Sequence, residues 1–432
     1  MIKQRLLTAL LMGGIIATGA YAQAEKGDSD DMTKKTHELN PVVVTGTGTH
    51  QRLKNTPSPV SVITANEIKR AGITDFQQAL TMMVPSLSFR PNAMGSYLML
   101  SGLSNKHVLI LVNGRKVTGD ITGNIDLSQI DMTRVKRIEV LNGAASSRYG
   151  SDAIGGVSNI ITNEPKDVVA FSSNSSYTRK NQFSQGLNLD IAQGKIESYT
   201  SYKYDHSDGW QNSHLTEDGE DIIETIAPLS LGYSSNNFSQ KFTYDATDQL
   251  SFYANGGYYN RGLERPVERE DITGGSKYNT AYEGYNWGAG AKYKLSKRYV
   301  IQFDYSGSNY ASRYKYLIEN SGYLPGQYAL TKLQKFHDAE LKGIFGFTTN
   351  STTVFGADYR CEVLRRPDSD LDKSVYTASA YGQHEVKLWN HLTGVAGVRY
   401  DHHEQTGGRF TPKEAAMYNI GYFNVRAAYA AG

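Results

Sequence analysis

If this chain carries out bond-making chemistry, the groups have to come from ten histidines, one cysteine and a few clusters of carboxylates. The adjacent pair His402-His403 has the imidazole nitrogens to hold a metal ion or haem iron. His206 and His214 are of the same type and lie near the ends of strand-like segments. Solvated loop histidines are the simpler reading of all four. His107 opens a nearly all-apolar run, His107–Val112, and reads as structural. Asp218, Glu220 and Asp221, and again Asp368, Asp370 and Asp372, offer oxygen ligands of the kind calcium takes, but neither spacing matches a calcium loop. Cys361 has no second cysteine to pair with. No Gly-x-x-x-x-Gly-Lys-Ser/Thr, His-Glu-x-x-His, Cys-x-x-Cys or Gly-x-Ser-x-Gly is present. The residues therefore point away from an enzyme, and neither a cofactor nor a resident metal is expected. Binding is the chemistry left.

The elements that would position binding residues begin with a leader. Lys3 and Arg5 precede the apolar run Leu6–Ile16, and Ala20-Tyr21-Ala22 follows. That pattern reads as a secretory signal over residues 1–22. The run is too short to span a bilayer as a helix. Residues 23–39 are polar and charged and read as a disordered linker. No later segment reaches 18 consecutive apolar residues, which excludes helical spans but not strands that face lipid with every second residue. The formal charge is only +2, so nothing points to nucleic acid. Tyrosine is abundant, 30 against 14 Phe and 3 Trp, and suits a surface that is apolar along its body and wet at its tip.

After the linker comes Asn40-Pro41-Val42-Val43-Val44-Thr45-Gly46-Thr47. Three valines in a row with no sequence partner nearby predict an exposed strand able to add itself to another protein's sheet. Pro59–Thr64 alternates as a strand. Ala65–Ala71 and Asp75–Met83 read as short helices, capped by Thr64 and by Thr74 or Asp75. Tyr97–Leu100 and His107–Val112 read as strands, the latter buried on both faces. Asn113-Gly114 is a tight turn, and Val135–Val140 is a further strand.

From Asp167 the apolar period is two. Tyr299, Ile301, Phe303 and Tyr305 share one face, and Gln302, Asp304, Ser306 and Ser308 the other. Short turns (Gln193–Gly194, Thr247–Asp248, Ser296–Lys297, Asn350–Ser351, Asn390–His391) alternate with long connections (His206–Asn236, Arg261–Thr280, Arg313–Thr331, Glu362–Lys373, Glu404–Met417). That parity is expected of an outer-membrane barrel and not of a sandwich. About 12 strands are predicted.

The stretch Val135–Thr162, VKRIEVLNGAASSRYGSDAIGGVSNIIT, closely resembles the end of the plug domain of TonB-dependent outer-membrane receptors. The resemblance implies a fold in three parts: a signal peptide, a small mixed α/β plug and an antiparallel transmembrane β-barrel. It sets the TonB box at residues 40–48, with Pro41, Val42, Val43, Val44 and Thr45 as the partner-binding residues, the plug at 49–166 and barrel strands over 167–432. A barrel that houses a plug needs about 22 strands, so the predicted dozen, ending in Ala427–Gly432, reads as a C-terminally truncated record. Three plug positions depart from the family. Ser101 precedes Gly102 where Arg is usual, Asn113-Gly114 replaces Asp-Gly, and Asn142-Gly143-Ala144 replaces Arg-Gly-Pro. In the family such arginines commonly pair with barrel carboxylates, so the seating of this plug is left open. The implied function is import of a scarce nutrient across the outer membrane, powered by a TonB-type energy-coupling protein. The implied ligand is an iron complex (ferric siderophore or haem), with cobalamin as the alternative. Ligand contacts are expected where plug apex and external loops meet. On the plug these are Arg90–Tyr97, above all Arg90 and Tyr97, and Gly119–Asn124. On the barrel they are Trp210, His214, Arg261, Arg265, His402 and His403. A surface β-rich adhesin or carbohydrate-binding protein is the alternative from another class.

Overall fold

The computed structural model describes residues 42–431 apart from 47, 50, 74–75, 93–94, 118–126, 128–129, 131, 144, 166, 180, 211–215, 218–219, 222–230, 269–274, 390 and 422. The signal, the linker, Pro41, His214, Asp218 and the 119–124 loop lie outside the described residues.

The N-terminal part is built on a five-stranded sheet. Its strands are β3 (Val60–Thr64), β6 (Val108–Val112), β7 (Arg115–Lys116), β8 (Val135–Asn142) and β9 (Gly156–Thr162), in the order β3-β8-β9-β6-β7. Only β6 and β9 run parallel. The apolar run of β6 is divided between two cores. Val108 and Ile110 join Ile63, Phe76, Leu80, Leu100, Ile138 and Ile160 on one face, and Leu109 and Leu111 join Leu141, Ala153 and Val157 on the other. Helices α1 (Ala65–Arg70) and α2 (Phe76–Met83) cover the first face. Thr64 and Glu67 close a capping box on α1: the Glu67 amide donates to Thr64 Oγ1 (3.3 Å) and the Thr64 amide donates to Glu67 Oε2 (2.7 Å). The Asn113-Gly114 turn has positive φ at both residues, +53° and +81°, as a two-residue type I′ hairpin requires. Ser101-Gly102 repeats that geometry after the hairpin β4 (Leu87–Asn92) and β5 (Gly95–Leu100), with φ of +52° and +81°. Ser101 is therefore an exposed turn residue, not a seating residue.

The glycine cluster is a close approach, not a phosphate loop. Gly156 has φ +142°, and a Cβ there would lie 2.4 Å from the Leu141 carbonyl oxygen and 2.5 Å from Leu100 Cδ2. Only glycine lets β9 pass so near β8.

The rest of the chain forms one antiparallel sheet in which every strand pairs with its sequence neighbours. The first strands are β10 (Val169–Thr178), β11 (Gln182–Gln193) and β12 (Ile196–Ser207); a two-residue hairpin, β13 (Thr216–Glu217) and β14 (Glu220–Asp221), interrupts the series. It resumes with β15 (Gly232–Asp245), β16 (Leu250–Glu264), β17 (Tyr278–Lys294), β18 (Tyr299–Tyr316), β19 (Tyr328–Thr348) and β20 (Ser351–Arg366). It ends with β21 (Leu371–Leu388), β22 (Leu392–His403), β23 (Gly407–Ile420) and β24 (Phe423–Ala430). Thirteen strands lie in order in this wall, close to the expected dozen. No helix among the described residues is long and apolar enough to cross a membrane.

Alternation is carried through. Ile301 and Phe303 are exposed on the outer face, while Asp304 turns inward to the N-terminal domain. Two long connections are shorter than their composition suggests. Polar, charged sequence predicts loops over Glu362–Lys373 and Glu404–Met417, yet the strands run on and leave only residues 367–370 and 404–406 unpaired. Cross-strand pairing holds such polar ends: Arg365 faces Asp372 in register and bridges it at 2.8 Å. In β23 the period of two continues, with Thr411, Lys413, Ala415 and Met417 buried and Phe410 exposed.

Candidate functional site

The segment predicted to stand free is held. β1 (Val42–Val43) pairs with β2 (Gln51–Arg52), in the register Val42↔Arg52 and Val43↔Gln51. Val42 remains 44 % exposed, but Val43 is 1 % exposed and Thr45 fully buried. The expectation of an exposed strand is corrected here: its partner lies eight or so residues downstream, in a polar dipeptide without strand character. Behind the segment stands Glu139, a fully buried carboxylate on β8. Glu139 Oε2 accepts from the Val44 amide (2.9 Å), the Thr45 amide (2.8 Å) and the Thr45 hydroxyl (2.6 Å). Its other oxygen accepts from Arg137 Nε at 2.8 Å. Asn159 and Tyr149 complete the cage on the Thr45 hydroxyl and carbonyl. From the wall, Lys413 Nζ donates to the Gly46 carbonyl (3.4 Å) and the Ser58 hydroxyl (3.3 Å), and Gln51 Nε2 donates to Glu385 at 2.6 Å. A carboxylate with donors on both oxygens meets the condition on which a buried charge is tolerable.

The question of seating is answered by other cations. Arg134 pairs with Asp190 of β11 and lies 3.7 Å over the Tyr199 ring. Arg115 reaches Asn255 and Asp304 and covers the Tyr253 ring at 4.3 Å. Lys116 bridges Asp152 at 2.6 Å, and Arg360 of β20 reaches the same carboxylate at 3.3 Å. Arg399 of β22 binds Asp358 (2.9 Å) and Asp401 (2.7 Å) and donates to the Arg148 carbonyl. The small domain is thus held to the wall by Arg115 and Arg134, by Lys116 through Glu362 at 3.8 Å, and by Arg360 and Arg399 projecting from the wall.

Burial pushes the Asp152 carboxyl up, but Lys116 and Arg360 outweigh it and hold the group at about 2, against an ordinary 3.8. A depressed carboxylate stabilises the folded state above its ordinary pKa and loses that contribution as pH falls through its folded one. Acidification from about pH 4 to about pH 2 is therefore expected to loosen residues 146–157, and Asp152→Asn to abolish that dependence. Hydrogen exchange of this segment against pH checks it; equal acid sensitivity in both proteins would contradict the assignment.

At the opposite end from the short turns, a chamber of about 530 Å³ lies between the small domain and the wall. Lys106, Lys116 and Asp152 line it from one side, and Tyr310, Glu362, Lys373 and His403 from the other. Of the sequence-predicted residues, His403 is at this chamber. His402, its neighbour in β22, is exposed on the other face of the strand beside Tyr376, so the two imidazoles do not converge on one ion. Arg90 and Tyr97 are brought together as register partners across the β4–β5 hairpin. Arg261 lies within β16, not in a loop, with its guanidinium 4.4 Å over the Tyr233 ring. Arg265 follows the end of β16, and its amide donates to Asn279 Oδ1 at 2.7 Å. Trp210 is half-buried beyond β12. Asp368 and Asp372 are each engaged by an arginine, Arg366 and Arg365, and no cluster of three metal-ligating side chains occurs among the described residues.

Sequence reading missed Glu139, Lys413 and Arg399. For Glu139 a signal exists: Arg137 and Glu139, two apart among Val135, Ile138, Val140 and Leu141, share one face and can only be tolerated inside as a pair. Lys413 sits in a stretch that reads as loop, which hid its inward direction.

A small α/β domain held by ion pairs against the inner face of an outward-apolar β-wall defines a plugged barrel. The chain belongs to the TonB-dependent receptors: residues 52–157 match the TonB-dependent Receptor Plug Domain, and residues 209–432, just over half the chain, match the TonB dependent receptor-like β-barrel. That family is one of receptors and transporters, and it displaces the adhesin and carbohydrate-binding alternatives. Among curated relatives, a vitamin B12 transporter BtuB of Vibrio cholerae is 24% identical over 99% of this chain and 66% of its own length. A BtuB of Photobacterium profundum is 35% identical over 30% of this chain and 22% of its own. The chain thus spans two thirds or less of the length of these relatives. Among solved structures, the ferric enterobactin receptor PfeA of Pseudomonas aeruginosa matches with a TM-score of 0.71 at 16% identity, over 86% of this chain and 61% of that one. The siderophore receptor PirA of Acinetobacter baumannii matches with a TM-score of 0.68 at 17% identity, over 86% and 60%.

Proposed function

We propose that this chain belongs to an outer-membrane importer that takes up a scarce iron complex, a ferric siderophore or haem, using energy delivered by a TonB-type protein. The observation that carries the reading is the held N-terminal segment at the short-turn end of the wall. Val42–Thr45 is β-prone and caged mainly through one side chain, Glu139. A segment held in this way is released by breaking few bonds, and once free it pairs as a strand with the coupling protein. Residues 1–22 act as the signal and 40–48 as the TonB box; the plug occupies 49–166. The long connections face outside and the short turns face the periplasm. Ligand enters among Arg90, Tyr97, Trp210, His214, Arg261, Arg265 and His403 and reaches the chamber; His402, on the outward face of β22, is not among the contacts.

An iron complex is favoured by the chamber's charge. Four lysines, Lys106, Lys116, Lys335 and Lys373, line the chamber together with two carboxylates, Asp152 and Glu362, with Tyr310 alongside. That balance suits an anionic, ring-bearing chelate. Cobalamin is the second reading, favoured by the similarity to BtuB along nearly the whole chain. Competition binding of a ferric catecholate, haem and cobalamin separates the readings. Deletion of residues 41–47 is expected to abolish uptake and leave ligand affinity unchanged. Uptake that survives the deletion would overturn the coupling mechanism.

A further inference from the structure

One carboxylate of the chamber is placed to do more than seat the plug. Asp152 lies on the short turn Ser151–Ala153 and lines the chamber beside Lys116. Lys116 Nζ is 2.6 Å from Asp152 Oδ2, and Arg360 Nη1 is 3.3 Å from the same oxygen. Both cations stand over one ring, that of Phe336, at 5.3 and 5.5 Å from its centre. The three charges therefore meet at a single point. Lys116 has a second carboxylate in reach, Glu362 of β20, at 3.8 Å. Lys116, Asp152, Phe336 and Glu362 all line the chamber. The Asp152 side chain is 30% exposed and that of Arg360 16%, so Asp152 is the more accessible of the pair.

Asp152 shares one oxygen between two cations, and that sharing makes an exchange cheap. When Lys116 turns to a new anion in the chamber, Asp152 keeps Arg360, so no bare carboxylate is left inside. Lys116 trades one anionic oxygen for another, while its stem still covers apolar surface. Every charge has a partner before and after the exchange. We propose that Asp152 is a stand-in for the ligand: its carboxylate fills the seat at Lys116 that an anionic oxygen of the bound complex takes. Lys116 is then the residue that recognises the ligand's charge, and Asp152 the competitor that the ligand must displace. An uncharged ligand offers Lys116 nothing better than Asp152 and leaves the pair closed. The seat therefore selects anionic chelates against neutral ones of the same size. The inference rests on the reading of the chamber as the place where an iron complex binds.

The test measures binding of two ferric complexes to the full chain in detergent, by quenching of its intrinsic fluorescence. One is a tris-catecholate, an anion; the other is a tris-hydroxamate, which is uncharged. The parent protein is expected to prefer the catecholate. Asp152→Asn removes the competitor and should bind the catecholate about five-fold more tightly, with the hydroxamate unchanged. Lys116→Gln should bind the catecholate about ten-fold more weakly. The double variant Lys116→Gln/Asp152→Asn decides the matter: with the seat gone, the gain from Asp152→Asn should vanish. The same gain with and without Lys116 would reduce Asp152 to a general repulsion and overturn the exchange. So would an Asp152→Asn protein that binds no more tightly than the parent. Asp152→Ser repeats the loss of charge with a smaller side chain, so that a packing fault of one replacement does not decide the result. Resistance of the 60–160 region to proteolysis checks that each plug is folded. If the parent binds cobalamin and neither ferric complex, the iron reading falls and this inference with it. If the parent binds the catecholate and the variants do not differ from it, only this inference falls.

Discussion

Glu139→Ala is expected to release residues 42–46 from the plug. The change removes the acceptor for two amides and one hydroxyl and leaves Arg137, whose side chain is 11% exposed, without its partner. Removing one member of a buried pair costs about 3–5 kcal/mol. The cost should appear locally, as fast hydrogen exchange at Val44 and Thr45 and as protease cleavage ahead of Gln51. The wall strands should be unaffected. Glu139→Gln keeps a carbonyl acceptor and should fall between the two. If the Val44 and Thr45 amides remain protected in the alanine variant, β1–β2 pairing and Lys413 hold the segment without the carboxylate.

Gly156→Val is expected to unfold the plug outright. The added Cβ meets a backbone oxygen at 2.4 Å, and the backbone itself sits at φ +142°, where a β-branched residue is strained. Overpacking costs about 1–3 kcal/mol and the strained backbone about as much again. Together these rival the whole stability of a small domain. Gly72→Ala supplies the control: it shares a positive φ, +66°, but a Cβ there meets nothing within 4 Å, so it should cost about 1 kcal/mol. Limited proteolysis of the 60–160 region in both variants decides the matter. Similar resistance in the two would mean that β9 and β8 can separate at no great cost.

Much of the architecture is legible in the residues because it follows from local periodicity. The switch to a period of two after Asp167, the helix cap at Thr64 and the Asn113-Gly114 turn each require only neighbours in sequence. The limits appear where a long-range partner decides. Val42–Val43 looks unpartnered because nothing in Gln51-Arg52 announces a strand, and nothing local tells that Glu139 will reach Thr45. The connections around Asp368 and Gln405 look like loops because polar residues dominate them, although cross-strand partners such as Arg365 and Asp372 are enough to keep the ribbon paired. The candidate site was legible only in part. His402-His403 reads as a pair in one dimension and separates across a strand in three.

The pairing of β1 with β2 also sets how the segment yields to load. In an antiparallel ribbon pulled at its free end, the pairs break one after another and do not share the force. Val42↔Arg52 gives way first and Val43↔Gln51 second. The tension then falls on the single knot at Thr45, where Glu139, Asn159 and Tyr149 converge. The unfastening of this N-terminus is therefore a short peel ending at one defined catch, and the strength of that catch, not the length of the strand, fixes the pull at which the plug's end comes free.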